Sequence, residues 1–117
     1  LLGKISEGEK SWYYHNCKAF VLASLAEGFG LPLVEAMSVG KPVFLSNKTA
    51  LPEIGSNAAF YFSDFSEACM QDSFIRGMQQ YDVHNMTDMI KKRAESFSWE
   101  NAADEYIKLY QHLYNQR

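Results

Sequence analysis

Long apolar runs, paired cysteines and an excess of either charge are all missing from this sequence, and each absence removes a class of protein. No uninterrupted apolar stretch approaches the roughly 20 residues that a membrane-spanning helix needs, and no signal-peptide pattern opens the chain. The two cysteines, Cys17 and Cys69, stand far apart without a Cys-x-x-Cys spacing, so no disulfide framework is expected and both read as reduced thiols in or near a core. Eleven Lys and Arg against fourteen Asp and Glu leave a net charge of -3, too mild and too scattered for a nucleic-acid partner. Basic residues cluster only at Lys91, Lys92 and Arg93, which read as a solvated helix face. His15, His84 and His112 have no metal-ligand spacing and no paired nucleophile, and read as surface or packing residues. A cytoplasmic setting and no bound metal follow as expectations.

What is present fits one small domain. The 117 residues allow a single hydrophobic core, and 47% hydrophobic with 21% charged residues is ordinary usage for a folded chain. Short apolar runs alternate with segments of helical period. Strands are predicted near residues 1–5, 19–23, 42–46 and 58–62, and helices over 7–16 and 31–39, with Gly40 as the stop of the second and a loop at Leu51, Pro52 and Glu53. Beyond Phe62 only helices are predicted. Asp64 with Glu67 reads as a capping box for a helix to about Tyr81, Asn85 with Asp88 as the start of another ending near Phe97, and Ser98 as the cap of the last. That last helix aligns Ala103, Ile107, Tyr110 and Tyr114, with Tyr106 and Leu113 beside them, a stripe suited to packing on the domain. Alternating strand and helix imply an α/β chain with a parallel, helix-covered sheet. Its ligands are expected beyond the carboxyl ends of the strands.

One such end carries residues 24–40, SLAEGFGLPLVEAMSVG. Gly28 and Gly30 allow close backbone approach and unusual dihedrals, and Pro32 suits a first helical turn, whose N-H groups are unpaired in any case. Those free amides and the positive end of the helix dipole favour an anion such as phosphate. Acids flank the turn: Glu27 precedes it, and Glu35 lies about one helical turn, roughly 6 Å, beyond Leu31. A carboxylate repels phosphate but accepts from hydroxyls. The order acid, anion hole, acid therefore matches a nucleotide sugar: sugar hydroxyls, diphosphate, ribose hydroxyls. Taken singly, each acid reads first as a dipole-complementing or surface residue; the two together, with the glycines and the preceding strand, favour the ligand reading. Phe29 reads as an apolar anchor for the turn.

The run Glu27-Gly28-Phe29-Gly30-Leu31-Pro32-Leu33-Val34-Glu35-Ala36-Met37, followed by Gly40-Lys41-Pro42-Val43, resembles the E-x7-E signature of retaining glycosyltransferases of the GT-B fold, specifically family 4. Gly3 resembles the glycine ending the preceding strand, and Tyr14 and Cys17 occupy the Tyr-x-x-Ala positions with Cys in place of Ala. Leu51-Pro52-Glu53-Ile54 and residues 55–59 resemble the Pro-Glu-x-x-Gly-Asp-Ala-Ala stretch, with Asn57 where an acid is common.

The resemblance implies a Rossmann-like parallel sheet with helices on both faces, an incomplete C-terminal half of a GT-B fold that ends in a run of helices, with residues 1–117 one partial domain. It implies transfer of a hexose from a UDP- or GDP-linked donor to an acceptor hydroxyl with retained configuration, in polysaccharide or lipopolysaccharide assembly, without metal or cofactor. Glu27 would contact donor sugar hydroxyls at the catalytic centre, the amides of Phe29, Gly30 and Leu31 would hold sugar and diphosphate beside Gly28, and Glu35 would hold the ribose. The acceptor glycan or lipid, and an Arg and a Lys on the diphosphate, would belong to parts preceding this chain, so the chain alone is expected to be inactive. The full enzyme could rest on the inner membrane face. A nucleotide-sugar epimerase and a non-catalytic nucleotide-sugar module stay open as alternatives.

Overall fold

The computed structural model describes residues 3–116. Helix α1 (Glu7–Asn16) is opened by Ser6, whose hydroxyl accepts from the Glu9 amide while the Glu9 carboxylate accepts from the Ser6 amide. That reciprocal pair fixes the start of the helix. Strand β1 (Phe20–Leu22), helix α2 (Leu31–Ser38) and strand β2 (Val43–Ser46) follow, then a short helix α3 (Leu51–Gly55), a 3-10 turn (Ser56–Ala58) and strand β3 (Phe60–Phe62). Three helices close the chain: α4 (Glu67–His84), α5 (Thr87–Glu95) and α6 (Trp99–Asn115).

The sheet order is β1-β2-β3 and both pairings are parallel, with Val21 opposite Phe44 and Leu45 opposite Tyr61. All four residues of β2 are buried, as a central parallel strand covered on both faces requires. On one face Val43 and Leu45 join Leu33, Met37, Leu51 and Ile90, from α2, α3 and α5. On the other, the Phe44 ring stacks with Phe60 and Phe62, at 5.1 and 6.2 Å, and meets Phe74 of α4 at 4.7 Å. Gly77 lets α4 come down onto that cluster, because a Cβ there would overlap the Phe44 ring. The structure is thus the α/β, helix-covered parallel sheet that the alternation implied, ending in helices.

Several local expectations give way to tertiary structure. Leu1 and Leu2 of the first predicted strand lie outside the described residues, and 3–5 form no strand. Residues 51–53 are helical rather than looped, since Pro52 sits comfortably in a first turn. Ser66, not Asp64, caps α4; Asp64 instead accepts from the Ser66 amide and hydroxyl and orients the cap. Asn85 ends α4 in a left-handed conformation, φ 46°, and starts nothing, a role open to Asn because its short polar side chain tolerates αL. Ser98 does cap α6.

Helix α6 departs furthest from its sequence reading. It buries none of its residues, and Ile107, Tyr110, Leu113 and Tyr114 of the predicted packing stripe are exposed. An amphipathic face needs a surface to meet, and among the described residues none lies against this one. The radius of gyration is accordingly 16.6 Å, against about 13 Å for a compact chain of this length. No helix among the described residues is long and apolar enough to cross a membrane.

Candidate functional site

The loops leaving the carboxyl ends of β1 and β2 are sewn together. Ser46, fully buried at the end of β2, donates from its hydroxyl to the Ser24 carbonyl at 2.5 Å. Thr49, held at φ 50°, accepts from the Glu27 amide at 2.9 Å. These two bonds fix where the chain stands as it enters the glycine turn, and with it the half-buried Glu27.

The turn ends at Gly30, the cap residue of α2, in the left-handed region at φ 88°. A Cβ there would be strained by the backbone and would press on Leu51 Cδ2 at 3.3 Å, which is the physical reason for glycine at this position. The Gly30 carbonyl accepts from Leu33 and Val34, and α2 takes Pro32 within its first turn. The amides of Phe29, Gly30 and Leu31 donate to no acceptor among the described residues, as is usual where a helix begins, and Gly30 itself is buried while Phe29 and Leu31 are exposed.

Phe29 makes an apolar contact of the kind expected of an anchor, although it stays 39% exposed. Its ring meets Phe97 edge-on at 5.6 Å. Arg93 lies over the other partner of that pair, its guanidinium carbon 4.6 Å from the Phe97 ring centre, and donates to the Ile54 carbonyl at 2.9 Å and the Glu53 carbonyl at 2.6 Å. Lys91 and Lys92 are exposed, as a solvated face demands, but Arg93 is half-buried and ties α5, the end of α3 and the glycine turn into one unit. The exposed Glu53 enters this unit through its carbonyl.

Glu35 turns toward α1. Its Oε1 lies 3.1 Å from the Lys10 ammonium and its Oε2 accepts from the Tyr14 hydroxyl at 2.9 Å. Lys10 also pairs with Glu7 at 2.8 Å, and the two carboxylates, Glu7 first, hold its ammonium above the ordinary lysine value. Burial and then the bond to Glu35 push the Tyr14 hydroxyl up to about 12, so it remains a donor. A hollow of about 240 Å³ opens beside these groups, lined by Glu7, Lys10, Tyr14 and Glu35 among others.

The structure therefore gathers Glu27, Gly28, Phe29, Gly30 and Leu31 at one helix tip beyond the strand ends, with Glu35 on the same helix but facing α1. Sequence reasoning missed Ser46, Thr49, Lys10 and Arg93. The i,i+4 spacing of Lys10 and Tyr14 was a visible signal of a shared face; the others depend on contacts 22 to 40 residues apart. His15, His84 and His112 are exposed, Cys17 and Cys69 are free thiols, and no cluster of three or more His, Cys, Asp or Glu forms among the described residues.

Residues 1–97, which include the whole of this tip and the sheet behind it, match the family described as glycosyl transferases group 1. The chain belongs to that family. Relatives include the O-antigen chain mannosyltransferase B of Escherichia coli, 33% identical over 96% of this chain and 30% of its own length. The O-antigen chain mannosyltransferase RfbU of Salmonella typhimurium is 31% identical over 76% of this chain and 29% of its own length. A sucrose synthase of Solanum tuberosum is 28% identical over 92% of this chain and 14% of its own length. The chain thus spans less than a third of each of these proteins.

Proposed function

We propose that this chain is part of the donor-binding domain of a retaining GT-B glycosyltransferase of family 4, which moves a hexose from a nucleotide sugar to an acceptor hydroxyl in cell-surface polysaccharide or lipopolysaccharide assembly. The observation that carries the reading is the glycine turn at the carboxyl end of β1, with unpartnered amides opening α2, Glu27 just before the turn and Glu35 about one turn into α2, facing α1. The names of the O-antigen relatives support mannose as the hexose, and hence GDP-mannose as the first donor to try.

In the reaction the bond from the sugar's anomeric carbon to the diphosphate oxygen breaks and a bond to the acceptor oxygen forms on the same face, with the acceptor's proton released. Negative charge grows on the leaving diphosphate. The amides of Phe29, Gly30 and Leu31, fixed before binding by Gly30 and the Phe29–Phe97 contact, aim donors at that charge without reorganising as it develops. Glu27 accepts from donor sugar hydroxyls and Glu35 from the ribose. The acceptor is held by parts of the protein outside this chain, and the whole enzyme works on the cytoplasmic side, at the inner membrane face.

Titration of the full-length protein with GDP-mannose, UDP-glucose, GDP and UDP tests the reading. Losing one hydrogen bond to a charged group weakens binding by about 10- to 100-fold. Glu27→Gln is expected to weaken the sugar nucleotide by that amount and leave the free diphosphate unchanged, whereas Glu35→Gln weakens both. Unchanged affinities in both variants would refute the assignment. Product formed without an acceptor would favour an epimerase instead.

A further inference from the structure

Glu35 is held from two sides before any ligand arrives. Lys10 and Tyr14 stand one helical turn apart on α1 and reach different oxygens of the same carboxylate, 3.1 Å to Oε1 and 2.9 Å to Oε2. Neither donor is loosely placed. The Tyr14 ring packs at 5.9 Å on Phe20, the first residue of β1, and Lys10 is also drawn to Glu7. Helix α1 buries none of its residues, so its start is set by the Ser6 cap and its docking is marked by these polar contacts.

An ionised carboxylate offers about four acceptor positions, two on each oxygen. Lys10 and Tyr14 occupy one on each oxygen. One on each oxygen stays open, and two adjacent acceptors suit the two donors of a vicinal diol. A glutamate free to rotate at the helix surface would have to be ordered on binding; one already clamped does not.

From this geometry we infer that Lys10 and Tyr14 are positioning residues for Glu35, setting its two open acceptor positions to receive the 2′- and 3′-hydroxyls of a nucleotide's ribose. The inference rests on the assignment of Glu35 to the ribose. Neither residue is required to touch the nucleotide.

The test uses the full-length protein and calorimetric binding of GDP and UDP, each as the ribose and as the 2′,3′-dideoxy form. For the unaltered protein the ribose form of the preferred nucleotide is expected to bind about 10- to 100-fold more tightly than the dideoxy form. Tyr14→Phe keeps the ring and removes only the donor. It is expected to reduce that preference about fivefold or more while the dideoxy affinity, which reports an intact site, stays unchanged. Lys10→Met is expected to act in the same direction. If Glu35→Gln abolishes the preference and Tyr14→Phe and Lys10→Met both leave it whole, the positioning role is overturned and the ribose assignment stands. If the two variants weaken both forms alike, their role is merely structural and the inference is again overturned. If Glu35→Gln retains the preference, or the unaltered protein has none, both fall.

Discussion

At Arg93 a single side chain joins three elements. Its guanidinium donates to two carbonyls at the end of α3 and lies over Phe97, whose ring supports Phe29 in the glycine turn. A planar fork can satisfy both carbonyls and stack at once, which a lysine ammonium cannot. Arg93→Met is therefore expected to cost about 1–3 kcal/mol, because it leaves the carbonyls of Ile54 and Glu53 without this donor. Urea unfolding of the variant checks this. Arg93→Lys should recover only a small part, and full recovery would show that charge alone suffices.

Elements differ in how firmly tertiary packing holds them. Strand β2 is buried at every position and α2 places Leu33, Ala36 and Met37 in the core, whereas α6 places nothing there. Most helical stability in proteins comes from packing an amphipathic face rather than from intrinsic propensity. Trp99 at 83% and Tyr114 at 78% exposure leave the α6 stripe without that support. Amide hydrogen exchange on the chain is expected to release α6 far sooner than β2 or α2, despite the Ser98 cap. Equal protection in α6 and β2 would contradict the exposed placement of the stripe.

For the molecule as a whole, the site is one-sided. The glycine turn lies beyond the carboxyl end of β1 with its unpartnered amides and Glu27, while Glu35 sits about one turn into α2 and faces α1. On the proposed reading no group here activates an acceptor or completes the grip on a diphosphate. The purified chain is expected to show no sugar transfer from GDP-mannose or UDP-glucose to any acceptor, measured by release of free nucleoside diphosphate above the hydrolysis background. Measurable transfer would place the acceptor site within these residues.

How much of this was legible beforehand follows from the range of the interactions. Local chemistry fixed the elements that depend on neighbours a few residues away: the Ser6 cap and α1, the glycine turn and α2 with its stop at Gly40, and the apolar runs of the three parallel strands. The same local pattern carried the family resemblance, because the turn residues and both acids lie within one short stretch. Contacts across the sheet were decided only by tertiary structure. They hold Glu27 through Thr49, turn Glu35 onto Lys10 and Tyr14, draw Arg93 out of a basic run into the support of the turn, and leave α6 uncovered. A hydrogen bond or a buried face needs a partner that chain topology brings from 21 to 40 residues away, and no local periodicity encodes which partner that is.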